Sequence, residues 1–222
     1  KESSRDEGKQ RSIREMCRRD PLFWLATFCW TYNPKELETR IPFIPWPCQV
    51  VAFDELVDAV NDHDVMVRKS REMGASWLCV YVVKWVFEFV RASASLVASR
   101  KEDLVDRPGD PDSLFWKLDF AFKKQCYPPF MKPRVNRANL RYENLDNGSV
   151  IHGESTNADL GRGGRRTLIL LDEFAAVQND MQVLSATQDA TRCRIFNSTP
   201  MGARNAFAKL RQTGIRSVTL HW

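Results

Sequence analysis

The chain has 222 residues, of which 43% are hydrophobic, and it carries 33 Lys and Arg residues against 28 Asp and Glu residues, for a net charge of +5. This length and apolar content suffice for one sizeable domain with a hydrophobic core, and the mild charge excess permits a polyanionic partner without requiring one. Six cysteines without a CxxC pair and three scattered histidines argue against a metal site built from Cys and His. The most apolar run (residues 75–90) contains Lys84 and Glu88, which argues against a membrane span.

The first 46 residues differ in composition from the rest. Residues 1–20 are highly charged and predict a helix or a loose arm. Residues 21–30 are apolar and aromatic, so we expect them to pack onto the main body. Residues 33–47 contain four prolines and predict an extended connector.

From residue 48 onward, helical and strand patterns alternate. Further predicted elements are helices at 48–60, 113–126, 178–190 and 206–210, strands at 64–67, 94–98, 150–152, 168–171, 193–196 and 217–220, and a buried helix or strand at 75–90. This alternation is typical of an α/β domain with a largely parallel sheet.

Charge is distributed unevenly along the chain. Residues 117–141 contain seven basic residues and one acid, whereas residues 54–64 contain five acids and no Lys or Arg. The basic stretch is either a surface for a phosphate-bearing partner or a solvated helix face and loop.

A candidate phosphate-binding loop follows the predicted strand at 64–67. Gly74 and Ser76 match the pattern GxxxxGK[ST], but Lys69 stands at the first glycine position and Ala75 at the usual lysine position. Backbone N–H groups at a helix N-terminus bind phosphate oxygens whatever the side chains are. The segment is therefore either a deviant phosphate loop or an ordinary strand-to-helix turn. The candidate nucleotide-binding residues are Lys69, Ser70, Arg71, Glu72, Met73, Gly74, Ala75, Ser76 and Trp77.

A carboxylate pair ends the most aliphatic predicted strand. Four aliphatic residues at 168–171 precede Asp172 and Glu173, about 100 residues after the loop. An Asp at this place can join Ser76 in holding Mg²⁺, and the adjacent Glu can orient or deprotonate an attacking water. Alone, the pair also fits a simple acidic loop.

Three further segments contribute candidates. Ser198, Thr199 and Pro200 follow a predicted strand, where hydroxyl groups can sense a phosphate. Arg162 lies in a glycine-rich stretch with Arg165 and Arg166, which suits an arginine finger or a DNA contact. Gln49 lies about 20 residues before Lys69, where its amide can pair with the edge of adenine. In isolation the Ser-Thr-Pro segment also fits a turn, the arginine stretch a solvated loop, and Gln49 a surface residue.

Taken in order, these motifs resemble the ATPase domain of the large terminase subunit of tailed bacteriophages, over roughly residues 40–222. The resemblance implies that Gln49 contacts adenine, that Lys69 or Arg71 is the phosphate cation, and that Ser76 and Asp172 hold Mg²⁺. It further implies that Glu173 is the catalytic carboxylate and that Arg162 acts in trans on a neighbour's ATP.

The coupling motif would then be Ser198, Thr199 and Pro200. The implied fold is an α/β P-loop NTPase of the additional-strand type, with a helical extension and connector at 1–46 and an ATPase core at 47–222. Large terminases also carry a C-terminal nuclease domain, which we expect to be absent here because the sequence stops at Trp222.

The resemblance also implies partners. They are double-stranded DNA, the portal protein and the small terminase subunit, with ATP and Mg²⁺ as cofactors. The working form would be a homo-oligomeric ring docked on the procapsid in the host cytoplasm, and the isolated chain a monomer. Two alternatives remain open: a helicase-like nucleic-acid ATPase, and a non-enzymatic assembly domain whose phosphate loop is degenerate at Ala75.

Overall fold

The computed structural model describes residues 6–157, 160–161 and 163–221. The helices in this part of the chain are α1 (Glu7–Arg19), α2 (Pro21–Phe28), α3 (Pro47–Asp58), α4 (Ala75–Phe89), α5 (Glu102–Val105), α6 (Leu114–Lys124), α7 (Asp180–Ala186) and α8 (Ala206–Leu210). The strands are β1 (Trp30–Tyr32), β2 (Arg40–Pro42), β3 (Val65–Lys69), β4 (Ala94–Ser99), β5 (Val135–Ala138), β6 (Arg141–Asn144), β7 (Val150–Ser155), β8 (Leu168–Asp172), β9 (Arg194–Ser198) and β10 (Arg216–Leu220).

Eight strands form one sheet in the order β10-β3-β9-β8-β4-β7-β6-β5. All neighbours from β10 to β7 are parallel, and β7, β6 and β5 are antiparallel. Strand β9 lies between β3, which leads into the candidate loop, and β8, which ends in the carboxylate pair. This mostly parallel, helix-flanked sheet confirms the predicted fold class, including the additional strand.

Apolar clusters cover both faces of the sheet. Alternate residues of β3 point to opposite faces, so Val65 and Val67 join the cluster around α3 and α4 while Met66 joins the cluster around α7 and α8. Strand β8 is buried along its whole length, as its aliphatic run predicts. Helix α4 is largely buried because it lies between the sheet and the N-terminal helices, and its two charged residues, Lys84 and Glu88, pair with each other.

The N-terminal helices pack onto α4. Asp20 begins α2, because its side chain accepts a hydrogen bond from the Phe23 N–H (2.8 Å), and Pro21 occupies the first turn. Trp24 of α2 is fully buried in the same cluster as α4. The predicted packing of residues 21–30 is therefore confirmed, and the boundary at residue 46 stays a prediction.

Three sequence predictions of local structure were incomplete. The connector is not simply extended, since its residues Arg40–Pro42 form β2 and pair with β1, which lies just before the connector. The helix predicted at 178–190 covers only Asp180–Ala186. The basic stretch is partly folded: Lys117 is buried, and residues 135–144 form the β5–β6 hairpin. The polar composition of this hairpin hides its strand alternation from sequence reasoning. None of the described helices combines the length and apolar character that a bilayer span requires.

Candidate functional site

The candidate site lies at the carboxyl edge of the parallel strands. Strands β3, β9 and β8 are neighbours, and the register pairs Asp172 with Asn197. In open α/β sheets, ligands bind at this edge. The sheet order therefore brings the ends of three distant segments to one place.

The candidate phosphate loop joins β3 to α4 through a left-handed glycine. Gly74 is the N-cap of α4 with φ +66°, a conformation that costs residues with a Cβ free energy. Leu78 N–H donates to Gly74 O (3.0 Å), the first bond of the helix ladder. The N–H groups of Ala75, Ser76 and Trp77 precede this ladder and are the groups that a helix N-terminus offers to phosphate.

Gln49 supports this loop from α3. Its side chain is nearly buried, its Oε1 accepts from Trp46 N–H (2.9 Å), and its Nε2 donates to Met73 O (3.0 Å). A Cβ on Gly74 would lie 2.9 Å from Gln49 Nε2, so a larger residue here would displace the Gln49 amide in addition to straining the backbone. The structure thus places Gln49 against the loop, and its contact with adenine stays a prediction.

The other loop residues occupy different environments. Lys69 is half-buried at the end of β3, and Ser70 N–H donates to Leu220 O (2.9 Å). Arg71 is exposed, and Glu72 pairs with Lys35 (2.7 Å), which lowers the pKa of Glu72. Met73 and Ala75 are buried.

Trp77 faces away from the loop. Its ring stacks on Tyr81 with centroids 6.0 Å apart and meets Phe120 edge-on at 5.5 Å. Its side chain therefore belongs to an aromatic cluster, and its contribution to the site is its backbone N–H.

Three side chains form a hydrogen-bonded triad at the centre of the site, one from the start of α4 and one each from the ends of β8 and β9. Ser76 Oγ donates to both carboxylate oxygens of Asp172 (3.2 Å each), and Asn197 Nδ2 donates to Asp172 Oδ1 (2.5 Å). Asn197 Nδ2 also lies 3.3 Å from Ser76 Oγ. We call Ser76, Asp172 and Asn197 the central triad.

The electrostatics of the triad depend on burial and on nearby cations. Burial raises the pKa of Asp172, whereas Lys69 and the Asn197 hydrogen bond act in the opposite direction. Lys117, buried on α6 and bonded to Pro111 O (2.7 Å), also opposes the rise. Burial in turn lowers the pKa of Lys117, and Asp172 is the strongest of the carboxylates that oppose this lowering.

The donor set of the triad suits Mg²⁺. The ion prefers oxygen ligands, keeps several waters, and binds nucleotide sites through one carboxylate and a hydroxyl. Ser76 Oγ and the Asp172 carboxylate are adjacent and offer these oxygens. The described residues contain no group of three His, Cys, Asp or Glu able to hold a metal, so most ligands here would be waters and phosphate oxygens.

Sequence reasoning missed Asn197, although it named the three residues that follow. Asn197 is fully buried, and its Oδ1 has no hydrogen-bond partner among the described residues. The signal available in the sequence was a polar residue directly after the strand predicted at 193–196 and before the Ser-Thr-Pro segment. Its role became visible only through its contact with Asp172.

Glu173 faces a different partner from Asp172. Its backbone is left-handed with φ +54°, and its Oε2 accepts from Arg100 Nε (3.0 Å). Arg100 directly follows β4, the parallel neighbour of β8. No sequence motif pointed to Arg100.

The Ser-Thr-Pro segment contacts the turn after Glu173. Ser198 is buried, and its Oγ accepts from Ala175 N–H (3.1 Å). Thr199 and Pro200 are exposed and line a cavity of about 690 Å³, together with Lys69, Ser70 and residues of α8. The segment therefore touches both the carboxylate turn and the start of the phosphate loop.

The candidate arginine finger, Arg162, lies outside the described residues. Of its neighbours, Arg165 is exposed, and Arg166 is held by Glu154 (3.9 Å) and by a backbone bond to Ala190 O (2.7 Å). Arg166 is thus tied to its own chain.

No protein-family model and no curated protein sequence matches the chain. Solved structures do match it. The Thermus phage P74-26 large terminase ATPase domain is 15% identical (TM-score 0.58), and the match covers 91% of this chain and 84% of that one. The HK97 bacteriophage large terminase is 12% identical (TM-score 0.65; 92% and 43% covered).

The large terminase of the thermophilic bacteriophage D6E, in complex with ADP, is 16% identical (TM-score 0.56; 79% and 44% covered). The chain thus spans most of the P74-26 domain and under half of the other two proteins. At these identities the likeness concerns the fold. The chain has the fold of the ATPase domains of phage large terminases.

Proposed function

We propose that the chain is the ATPase motor domain of a viral DNA-packaging terminase. The observation that carries the proposal is the central triad at the N-terminus of α4, where a hydroxyl and a carboxylate meet beside free helix N–H groups. The terminase fold supports the same assignment, as does the ADP bound to the D6E terminase.

In this proposal each side chain has a separate task. The N–H groups at the start of α4 hold the phosphates, and Ser76 and Asp172 hold Mg²⁺, which neutralises charge on the phosphate oxygens when bound. Lys69 supplies the phosphate cation that Ala75 cannot. Arg71, exposed at the loop, is the alternative cation.

Glu173 is the proposed general base. It accepts a proton from a water whose oxygen attacks the γ-phosphorus. The bond from that phosphorus to the β–γ bridging oxygen breaks, and ADP and phosphate leave. Ser198, bonded to the turn after Glu173, relays this change toward Thr199 and Pro200.

The remaining roles are proposed from the resemblance. Gln49 contacts adenine, and Arg162 of one subunit acts on the ATP of its neighbour in a homo-oligomeric ring. The ring moves double-stranded DNA through the portal into a procapsid in the host cytoplasm, with the small terminase subunit as a partner. The division into an extension at 1–46 and a core at 47–222 belongs to the same proposal.

Ala75 favours a second candidate, a non-enzymatic assembly domain. One experiment separates the two: phosphate release from Mg-ATP over a range of protein concentrations, beside Glu173→Gln. The control is Glu36→Gln, an exposed carboxylate of the β1–β2 hairpin.

If an arginine of a neighbouring subunit completes the active site, the rate of turnover should rise faster than linearly with protein concentration. Turnover should be lost in Glu173→Gln and kept in Glu36→Gln. A finger supplied in trans is worth roughly 10³–10⁵ in rate. Absence of both turnover and nucleotide binding at every concentration would instead rule out the ATPase and favour the assembly role.

A further inference from the structure

Lys117 is a buried charge to which the proposed mechanism gives no task. It lies on α6, and only 8% of its surface is exposed. Its Nζ donates to Pro111 O (2.7 Å) and Asp112 O (2.8 Å), and within the described part of the chain it forms no ion pair with a carboxylate. A lysine is almost never buried this deeply without a paired charge, because desolvation disfavours the ammonium. The ammonium also has three N–H donors, so two carbonyls leave one donor to be used.

The packing of α6 on α4 sets the level of Lys117 relative to the phosphate loop. The ring of Phe122 meets that of Phe87 (centroids 5.4 Å apart), and the ring of Phe120 meets that of Trp77 (5.5 Å). The contacts therefore move toward the start of α4 as α6 is followed back toward its own start. Lys117 lies one turn before Phe120 on the same face of α6. This brings Lys117 to the level of the first turn of α4, whose N–H groups are the ones offered to phosphate.

Two carboxylates of the candidate site act on this ammonium. Burial lowers the pKa of Lys117, and the carboxylates that oppose the lowering are, in order of strength, Asp172, Asp112, Asp110 and Glu173. Two of them belong to the loop before α6, whereas Asp172 ends β8 and Glu173 follows it. In the proposed mechanism Asp172 holds Mg²⁺, and Glu173 faces the water that attacks the γ-phosphorus. A cation near both carboxylates is therefore near the place of the γ-phosphate.

The phosphate loop itself lacks a charge at the usual place, because Ala75 stands at the lysine position. We propose that Lys117 is a second cation of the phosphate site and that it sets a preference for a nucleoside triphosphate over a diphosphate. Lys69 reaches the site from the end of β3, whereas Lys117 reaches it from α6. The inference rests on the proposed function and adds to it a residue that determines specificity.

The additional charge of the γ-phosphate sets the size of the effect. A unit charge acting over about 8–10 Å contributes about 2- to 30-fold in affinity, between the screening of bulk water and that near a protein surface. Lys117→Met should therefore weaken the binding of ADP, and weaken the binding of ATPγS by a further factor in this range. Because Lys117 is buried, salt screens its charge little, and the difference between the two nucleotides should persist at high ionic strength.

The test is a titration of the full chain with Mg-ADP and with Mg-ATPγS, at low and at high salt. Lys117→Met removes the charge and the N–H donors, whereas Lys117→Gln removes the charge but keeps an N–H donor for the loop before α6. The glutamine variant carries the test if the methionine variant does not fold. The matched control is Lys124→Met, the same substitution at an exposed lysine of the same helix. Urea unfolding of each variant measures the structural cost separately.

We expect the ratio of the ATPγS affinity to the ADP affinity to fall by about 2- to 30-fold in the Lys117 variants and to stay unchanged in Lys124→Met. If Lys117 only holds the loop before α6, its variants should weaken both nucleotides equally or lower only the free energy of unfolding. A ratio that does not fall, a fall that vanishes at high salt, or an equal fall in Lys124→Met overturns the proposal.

Failure of the proposed function gives a different result. If wild type binds neither nucleotide, the proposed function fails and the preference fails with it. If wild type binds both nucleotides and the Lys117 variants keep the wild-type ratio of affinities, only the task of Lys117 fails.

Discussion

Replacing Gly74 with alanine perturbs the phosphate loop through two effects that the structure separates. The first is conformational: at φ +66° a residue with a Cβ costs about 1–2 kcal/mol. The second is steric, because the new Cβ would lie 2.9 Å from Gln49 Nε2. Moving that amide weakens its bond to Met73 O, worth about 0.5–1.5 kcal/mol.

Together these effects cost about 1.5–3.5 kcal/mol, or roughly 10- to 400-fold in an equilibrium constant. If the loop of the nucleotide-free variant relaxes to another conformation, nucleotide must restore the native one, and the cost appears as weaker nucleotide binding. If the loop keeps its native conformation, the cost appears as a lower free energy of unfolding. We therefore expect the sum of the two losses in Gly74→Ala to fall in this range. Titration with Mg-ATPγS and urea unfolding measure the two parts.

Two comparisons isolate the causes. Gly148 is also left-handed (φ +75°), but no atom lies within 4 Å of the place that a Cβ would take, so Gly148→Ala should lose only the conformational part and keep its nucleotide affinity. In a Gln49→Ala background the steric part of Gly74→Ala should vanish, giving a coupling of about 0.5–1.5 kcal/mol. A summed loss near zero in Gly74→Ala, or full additivity with Gln49→Ala, would refute the reasoning.

Three further outcomes are expected. Lys69→Ala should reduce nucleotide affinity or turnover by tenfold or more, as expected for a charge-assisted phosphate contact, whereas the exposed Lys124→Ala should not; equal effects would count against Lys69 as the phosphate cation. In titrations with and without Mg²⁺, Asn197→Ala should weaken nucleotide binding by about tenfold or more when Mg²⁺ is present and change it little when Mg²⁺ is absent. A loss of affinity only in the absence of Mg²⁺ would contradict the place of Asn197 in the central triad. Lys84→Met should lower the free energy of unfolding, measured in urea, by about 3–5 kcal/mol, because it leaves Glu88 buried without its cation. The double variant Lys84→Met with Glu88→Leu should recover most of this lost stability. Equal stability of the single and double variants would speak against a buried pair.

The sequence by itself determined the elements of the site and their order. The aliphatic run before Asp172 predicted a fully buried strand, and the structure buries every residue of β8. Gly74 and Ser76 were placed at a strand-to-helix junction, where α4 does begin. These features are local, because burial and helix initiation leave a pattern within a few neighbouring residues.

The tertiary structure decided which side chains meet. Asn197 contacts Asp172 from 25 positions away, and Arg100 contacts Glu173 from 73 positions away. Neither contact follows from spacing, because both depend on the strand order β9-β8-β4 and its register.

The same holds for Gln49. From sequence its amide was a candidate for adenine. In the fold the same amide donates to Met73 O, 24 positions away, and lies against the place that a Cβ on residue 74 would take. A residue type and a spacing indicate a chemistry, but the hydrogen-bond partner of a side chain depends on which distant segments the sheet and its helices bring into contact.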